Sequence, residues 1–477
     1  MVSEDRSPTA DALKFSNNES GEPTLTVGIM DKQAGITGCL NGNFYVNGFG
    51  LVSGRFSAKT LFDIIVLTDE NNHEIVRSSV IRFAADKDST FTLFQVTIGI
   101  TFHWERKEDQ TFQGNLILKS RNNGTMAAIN EIAMEDYLKS VVSSEMSGNA
   151  PMEFLKTHAI ISRSWLLCSL NRKKNRKETL TNKTEMINSP DQFSSHESSF
   201  SLQGKQEEVM RWYEQEDHDI YDVCADDHCQ RYQGVTKIIS ARAGESVLET
   251  CGQAITYHGE ICDARYSKAC GGITEAFETA WADNKVPYLI SITDAKDHYQ
   301  PIITEENATR WILSEPDAYC NTKDTHILEK ILPDFDQETK AFFRWKVAYA
   351  REELEKILLE KSGFDFGTLK EIQPLSRGPS GRIFRLKIVG SNKSMIVGKE
   401  LEIRRWLSKS HLYSSAFVVA MEYDAQGEIK NFVFHGAGWG HGVGLCQIGA
   451  AVMATKGFSV EEILEHYFPG TGIERVY

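Results

Sequence analysis

A single acidic residue, Glu145, lies where a short helix is expected to end, and a basic residue follows on the next helix. The run EDYLKSVVSSEM predicts a helix that closes at Glu145 and Met146, and Pro151 opens a longer helix that contains Arg163. The two helices are expected to form a hairpin around the turn SGNA, so the carboxylate and the guanidinium could face one cleft. On spacing alone, two unrelated solvated side chains are the more common arrangement.

Four soft or borderline metal ligands are concentrated in the run HDIYDVCADDHC: His218, Cys224, His228 and Cys229. Two imidazoles and two thiolates suit a tetrahedral zinc site, although the spacing differs from that of zinc fingers and adjacent His and Cys side chains usually diverge. Zinc binding and reduced surface cysteines are both open interpretations, with a Cys224–Cys229 disulfide as a third. Because the chain has nine cysteines, an odd number, a complete disulfide framework is not expected.

The elements that position these residues are mixed, and we assign the chain to the α+β class. Alternating apolar runs such as FTLFQVTIGITFHW predict a β-rich N-terminal unit over residues 23–110. Residues 111–300 hold the core with the helical hairpin, interrupted by an irregular polar surface excursion near 171–215. A helical insertion is expected over 301–363, and strands and helices of the core return over 364–477.

Local signals predict several turns and caps. The His258-Gly259 pair separates two alternating runs, which is typical of a β-hairpin. Gly363 suits the C-cap of the helix before it, and Ser459 with Glu462 three residues later predicts a capping box.

Charge and hydropathy argue against several classes of protein. Acidic residues outnumber basic ones by 66 to 52, which argues against non-specific electrostatic binding to nucleic acid or to anionic lipid. No stretch reaches the roughly 20 apolar residues that a membrane span needs. Residues 1–22 are expected to form a flexible tail, and they lack the apolar core of a signal peptide. Either the chain works in the cytoplasm or Met1 stands where a leader has been removed, and both interpretations stay open.

Four segments resemble the SpoIID/LytB family of sporulation and cell-wall proteins. The segment NEIAMEDYLKSVVSSEMSGNAPMEFLKTHAIISRSWLL is similar to the family's Tyr-Leu helix, which runs into Glu-Met and then an Arg-bearing helix. The C-terminal run HGAGWGHGVGLCQIGAAVMAT resembles its Gly-Trp-Gly-His-Gly-Val-Gly signature. Between them, RYSKACGGITE and SRGPSGRIFRLKIVG resemble its Cys-Gly-Gly-x-Thr-Glu segment and its Ser-Gly-Arg strand. The first hundred residues and residues 301–363 match weakly or not at all.

The resemblance implies lytic transglycosylase chemistry on the glycan strands of peptidoglycan, with Glu145 as the acid/base residue. One glutamic acid protonates the glycosidic oxygen and the sugar's own hydroxyl closes a 1,6-anhydro ring, so the second carboxylate of an ordinary glycosidase is not needed. The acid must hold its proton near neutral pH, which burial beside Met146 favours. A direct ion pair with Arg163 would oppose this. We therefore expect Arg163 to bind substrate or brace the loop, with the ion pair as the competing alternative.

The resemblance also implies further substrate-binding residues. Tyr266 and Lys268 map onto a segment that lines the cleft, and both can donate hydrogen bonds to a sugar. A half-buried strand tyrosine is an equally good interpretation of Tyr266. The Gly-rich loop lacks the Gly-Lys-Ser/Thr of a phosphate-binding loop. It is expected to supply a stacking face and hydrogen-bond donors from His435, Trp439, His441 and Gln447.

Some sporulation members of the family hold zinc with a comparable His-Cys-His-Cys group, so zinc is the implied cofactor of the four ligands above. The alternative function is a non-enzymatic amidase enhancer that binds glycan and stimulates a partner hydrolase. A zinc hydrolase built on His435 and His441 is least favoured, because no acidic residue nearby completes a ligand set. The expected partners are peptidoglycan strands and, in the alternative, a cell-wall amidase. Peptidoglycan lies outside the cytoplasm, so an extracytoplasmic location is expected.

Overall fold

The computed structural model describes residues 21–100, 105–121, 123–184, 199–200, 207–213, 218–238, 240–333, 336–337 and 341–477. Residues 1–20 of the predicted tail lie outside the described residues, as does much of the predicted excursion after residue 184. The fold is α+β with a β-rich N-terminal region, which confirms the predicted class. Within the described residues, no helix combines the length and the apolar character that crossing a bilayer requires.

The N-terminal region is built from ten strands with alternating buried and exposed side chains. Their apolar residues, such as Phe44, Phe83 and Phe91, form one part of a large core because period-two alternation directs them to one face. The strands are β1 (Thr24–Gln33), β2 (Gly35–Val46), β3 (Gly50–Leu61), β4 (Ile64–Asp69), β5 (Glu74–Ser78), β6 (Val80–Ala85), β7 (Thr90–Ile98), β8 (Arg106–Gln113), β9 (Asn115–Ser120) and β10 (Met126–Ala133). They run in the order β1-β10-β9-β6-β2-β3-β4-β5, with β7 beside β2 and β8 beside β7.

A helical hairpin follows directly from β10, as the sequence predicts. Helix α1 (Met134–Glu145) is buried along most of its length, and helix α2 (Met152–Thr184) packs against it. The prediction that an irregular excursion begins near residue 171 is wrong, because α2 continues to Thr184. Its last turns are rich in Lys and Arg, which lack an apolar period but are good helix formers.

The middle of the chain contains short elements that connect the hairpin to the sheets. The predicted hairpin at His258-Gly259 is present, with Tyr257 paired to Glu260 and positive φ angles of 52° and 80° at the two turn residues. The elements are β11 (Ser199–Phe200), β12 (Glu207–Met210), β13 (Val223–Cys224), a 3-10 turn (Gly234–Lys237), α3 (Ala241–Glu249), β14 (Gln253–Tyr257), β15 (Glu260–Ile261), β16 (Tyr266–Ser267) and α4 (Phe277–Ala280).

The segment predicted to be a helical insertion contains a strand. Helices α5 (Glu305–Ile312) and α6 (Thr325–Ile331) are followed by β17 (Arg344–Ala350) and then α7 (Arg351–Ser362). The run RWKVAYA was assigned to a helix because it continues into the periodic run of α7, whereas its aromatic and β-branched residues suit a sheet. Gly363 caps α7 with a φ of 77°, as predicted.

The C-terminal part contributes strands to four sheets. Its elements are β18 (Leu369–Arg377), β19 (Ile383–Gly390), β20 (Ser394–Gly398), α8 (Glu400–Trp406), β21 (Phe417–Tyr423), β22 (Ile429–Ala437), β23 (Leu445–Cys446), α9 (Gln447–Thr455), α10 (Val460–Tyr467) and β24 (Gly472–Arg475). Strand β17 lies beside β22, which pairs with β21, so the segment 301–363 contributes to the C-terminal sheet. Strand β23 runs parallel to β16, and β24 pairs with β14. The capping box of α10 is present.

Candidate functional site

Glu145 is the last residue of α1, and its side chain is 9% exposed. Its Oε1 atom accepts a hydrogen bond from the backbone N–H of Arg231 at 2.9 Å and one from the Tyr266 hydroxyl at 3.3 Å. Among the described residues, no salt bridge involves this carboxyl group. Glu145 is therefore held by a backbone amide and a phenol, both of which are electrically neutral donors.

Lys268, which directly follows β16, fixes the end of α1. Its Nζ atom lies 2.9 Å from the backbone oxygen of Glu145, 3.4 Å from Met146 Sδ and 2.8 Å from the carboxylate of Asp336. An ammonium group has three donors, and these contacts use all of them. A positive charge at a helix C-terminus is also favourable. The predicted contact of Lys268 with sugar does not fit these contacts, because its donors are already engaged in positioning the backbone of Glu145.

A neutral histidine lies behind Tyr266. The ring centroids of His158 and Tyr266 are 5.1 Å apart, and Gln447 Nε2 lies 3.0 Å from His158 Nε2. Burial lowers the pKa of His158 to about 3, and the charge of Lys268 acts in the same direction. The Gln447 side chain is 2% exposed. The prediction that Gln447 binds substrate is therefore not supported by its position, since it supports His158 from inside α9.

Two charged residues that the sequence reasoning missed lie next to Glu145. The guanidinium of Arg231 makes hydrogen bonds of 3.0 and 2.6 Å with Asp227 Oδ1. Burial raises the pKa of Asp227, and the Glu145 charge adds to this, whereas Arg231 opposes it. Burial also raises the pKa of the neighbouring Asp226 to about 7. Asp227 lies in the run HDIYDVCADDHC, and Arg231 lies two residues after the end of that run. The contact of Arg231 with Glu145 could not be predicted from residue types, because its donor is a backbone N–H group.

Arg163 is separated from this site, so neither its predicted contact with substrate nor the alternative ion pair with Glu145 fits the structure. It is fully buried, and it makes hydrogen bonds of 2.9 and 2.6 Å with the two carboxylate oxygens of Glu135. The helices of the hairpin are antiparallel, which places Arg163 level with the start of α1. Glu135 precedes Glu145 by ten residues, about 15 Å along a helix. Arg163 therefore ties α2 to the start of α1, whereas the prediction was that it would brace the loop.

The four predicted metal ligands converge at one point beside β13. The ligand atoms of His218, Cys224, His228 and Cys229 all lie within 4.8 Å of one another. The Cys229 Sγ atom is 3.4 Å from His218 Nε2 and 3.4 Å from His228 Nδ1. Hydrogen bonds from Cys229, and then from the two histidines, lower the pKa of Cys224 to about 2, against the effect of burial. Both cysteines are free thiols, so the disulfide alternative is not present.

Two imidazoles and two thiols at these distances fit the donor set of a tetrahedral zinc site. The adjacent side chains of His228 and Cys229 do not diverge, because a turn between Ala225 and Cys229 brings both to Cys224, with His228 on the exposed side. Lys173 of α2 anchors the start of this segment by donating to the backbone oxygens of His218 and Tyr221, at 2.8 and 2.6 Å.

The residues predicted from the Gly-rich loop are dispersed. His435 belongs to β22 and lies between Lys346 and Val418 of the neighbouring strands. Trp439 packs its ring against Tyr413, with centroids 4.3 Å apart, and remains partly exposed.

His441 lies closer to the site, since it hydrogen-bonds to the backbone of Tyr266. Its Nδ1 accepts from the N–H of Val443 at 3.0 Å, and burial, with Arg265 next, holds its pKa well below the usual range. The structure thus brings Tyr266 and Lys268 to Glu145 and connects His441 to them through the Tyr266 backbone, whereas Arg163 and His435 lie elsewhere.

Comparison with known proteins bears on the same segments. Residues 122–257, which contain α1, the hairpin and the His/Cys cluster, match the family model described as Stage II sporulation protein. The chain is 26% identical over 349 residues to Stage II sporulation protein D of Bacillus amyloliquefaciens, covering 72% of this chain and 75% of that protein. It is 27% identical over 249 residues to the Amidase enhancer of Bacillus subtilis (strain 168), covering 49% of this chain. Over these segments the chain is similar to proteins of the SpoIID/LytB family, which the sequence motifs predicted.

The SpoIID/LytB match has defined limits. The aligned region spans 32% of the length of the Amidase enhancer. Stage II sporulation protein D of Bacillus subtilis (strain 168) is 24% identical over 352 residues, 76% of its length. A second family model, Domain of unknown function (DUF8618), matches residues 275–444, which include the segment 301–363. Tyr266 and Lys268 fall between the two matched regions.

Proposed function

We propose that this chain cleaves the glycan strands of peptidoglycan by lytic transglycosylation, with Glu145 as the acid and then the base. Similarity to the SpoIID/LytB family supports a role connected with the cell wall, and that family is associated with cell-wall degradation. The observation that carries the finer proposal is the setting of Glu145: it is nearly buried, it has no salt-bridge partner among the described residues, and neutral groups orient it.

The orientation of the carboxyl group assigns a task to each of its oxygens. Both hydrogen bonds that the described residues make with the carboxyl group of Glu145 end on Oε1. We therefore assign proton transfer to Oε2. A general acid must hold its proton until the transition state, and burial favours the protonated form whereas a directly paired cation would favour the ionised form.

The proposed reaction cleaves the substrate without adding or removing any atom. The Glu145 proton moves to the glycosidic oxygen as the C1–O bond breaks, and an oxocarbenium-like centre forms on the sugar. The C6 hydroxyl of the same sugar then attacks C1, and Glu145 takes its proton, which restores the acid. The products are a 1,6-anhydro end and a free hydroxyl end, so no water and no second carboxylate take part.

The His/Cys cluster lies next in sequence to Arg231, whose backbone N–H orients Glu145. Cys229 precedes Arg231 by two residues, and the N–H of Arg231 donates to Glu145. We propose zinc as the occupant of His218, Cys224, His228 and Cys229, where it would cross-link the segment. Cys224→Ser is then expected to lower zinc content and to slow cleavage, because the donor to Oε1 loses its fixed position. Unchanged zinc content would contradict this assignment.

Digestion of purified peptidoglycan tests the activity. Intact and amidase-stripped substrates are incubated with the wild-type chain, Glu145→Gln and Glu260→Gln, and the products are identified by mass spectrometry. Glu260 lies in an exposed hairpin turn, so its variant is a matched charge control. Anhydro-muramic ends are expected from the wild type and the control, with a rate about 10² to 10⁴ lower for Glu145→Gln. An undiminished rate in Glu145→Gln would refute the assignment.

A second candidate function is supported by the similarity to the Amidase enhancer. In that case the chain binds glycan and stimulates a partner amidase without cutting the strand itself. Binding to peptidoglycan with no product from any variant, together with faster release of peptides when a cell-wall amidase is added, would establish this alternative. Both functions act on a polymer outside the cytoplasm, so the proposal includes an extracytoplasmic location.

A further inference from the structure

A second cluster of metal-ligating side chains lies in the interior of the molecule, separate from the His/Cys group. The three thiols of Cys270, Cys320 and Cys446 and the carboxylate of Asp294 have their ligand atoms within 4.8 Å of one another. All four residues are buried, and Asp294 has no exposed surface. They come from four distant segments of the sequence, so no local motif relates them.

The spacing of the sulfur atoms fits metal coordination. Cys270 Sγ and Cys320 Sγ are 3.7 Å apart. Two thiolates at about 2.3 Å from a tetrahedral zinc ion are separated by roughly 3.8 Å. A disulfide would need about 2.05 Å. The two thiols are thus at the separation that a shared ion would impose.

The surrounding groups are arranged as in an outer shell of a metal site. The backbone N–H of Cys270 lies 3.2 Å from Cys446 Sγ, and that of Gly272 lies 3.4 Å from Cys270 Sγ. Asp294 Oδ2 accepts from the backbone N–H of Cys320 at 2.9 Å, and its Oδ1 accepts from the Tyr467 hydroxyl. Donors of this kind orient ligands and spread their negative charge. Each carboxylate oxygen still has a second lone pair with which to coordinate an ion.

Ordinary core packing explains the thiols but not the carboxylate. Free cysteine is among the most frequently buried residues and behaves as a small hydrophobe. A buried carboxylate, in contrast, is costly unless it takes up a proton, is paired with a cation or coordinates a metal. Among the described residues, no salt bridge involves Asp294, whereas three thiols surround it. A divalent cation would supply the missing positive charge.

We propose that Cys270, Asp294, Cys320 and Cys446 bind a second, structural zinc ion. Three sulfur ligands favour zinc over calcium or magnesium, which prefer oxygen. The ion would join the loop after β16, the 294–320 segment and the start of α9. Cys270 follows Lys268 by two residues, and Cys446 precedes Gln447 directly. The site would therefore join the loop that carries Lys268 to the start of α9, where Gln447 contacts His158.

Metal analysis of the full chain separates this site from the His/Cys cluster. Zinc per chain is measured by inductively coupled plasma mass spectrometry for the wild type, Cys320→Ser, Cys224→Ser and the control Cys39→Ser, whose residue lies in β2 outside both clusters. We expect Cys320→Ser to lose one equivalent of zinc relative to the wild type and Cys39→Ser to lose none. If the His/Cys cluster holds no metal, Cys224→Ser retains the wild-type content and Cys320→Ser still loses one equivalent.

Asp294→Asn serves as the second variant, because it keeps the shape of the side chain if Cys320→Ser fails to fold. The same loss of one equivalent is expected from it. Zinc content equal to that of the wild type in a folded Cys320→Ser or Asp294→Asn protein would overturn the proposal. A Cys270–Cys320 disulfide found by mass spectrometry of the unreduced wild-type chain would also overturn it, since an oxidised pair cannot supply two thiolates.

Discussion

Replacing Glu135 with glutamine tests whether Arg163 braces the fold or contacts substrate. The substitution removes the charge and keeps the size of the side chain, so it leaves a fully buried guanidinium without its carboxylate. Breaking a buried ion pair by removing one partner costs about 3 to 5 kcal/mol. The backbone oxygen of Gln253, 2.8 Å from Nη1, and the Tyr477 hydroxyl offset part of this loss. We therefore expect the free energy of unfolding to fall by about 3 kcal/mol, the lower end of that range.

Guanidinium chloride unfolding of the full chain, followed by circular dichroism, measures the change. Arg163→Met should lower the free energy of unfolding by a similar amount, because it leaves the buried carboxylate of Glu135 without its guanidinium. The double variant should lose less than the sum of the two, as expected for residues in direct contact. Glu306→Gln is the control, since Glu306 pairs with Arg310 at a surface where the side chains are 82% and 72% exposed. The free energy of unfolding of Glu306→Gln should differ from that of the wild type by less than about 1 kcal/mol.

The opposite result would refute the assignment. If Glu135→Gln unfolds like the Glu306→Gln control, while a stably folded Arg163→Met protein loses affinity for peptidoglycan, Arg163 serves the substrate and the buried ion pair does not brace the hairpin.

Tyr266→Phe removes the 3.3 Å hydrogen bond to Glu145 and keeps the ring, so the initial rate of glycan cleavage should fall by up to about tenfold and the free energy of unfolding by no more than about 1.5 kcal/mol. An unchanged rate would show that the hydroxyl is not needed. Gly449→Ala places a methyl carbon against the Asp294 carboxylate, and the melting temperature should drop by the equivalent of about 1 to 3 kcal/mol. A wild-type melting temperature would contradict this close packing. Burial lowers the pKa of His158 from 6.5 to about 3, so below pH 6.5 the unfolded chain binds a proton that the native chain does not. This contribution to stability is complete above pH 6.5 and is lost as the pH falls toward 3. Denaturant unfolding across that window should show a shallower decline for His158→Asn than for the wild type, and equal slopes would contradict the assignment.

Features that depend on neighbouring residues in the chain were predictable. The helices on either side of SGNA, the Gly363 cap and the Ser459 capping box were all located, because caps and periodicity act over one or two turns. The strand RWKVAYA was not located, since its aromatic residues suit a helix face as well as a sheet. Its pairing with β22, more than eighty residues later, decided between the two.

The candidate site shows the same division. Sequence resemblance selected Glu145, Tyr266 and Lys268, and the structure brings them together. It also selected Gln447, which is buried against His158, because family motifs mark both contact residues and the residues that support them.

The sequence by itself determined the class of fold, the helical hairpin with its acidic residue, and the similarity to the SpoIID/LytB family. Only the tertiary structure decided that Arg163 pairs with Glu135, that the N–H of Arg231 holds Glu145, and that three cysteines surround Asp294. The physical reason is that these contacts join segments distant along the chain. Their partners are set by helix register and by the directions of backbone groups, which residue types alone do not specify.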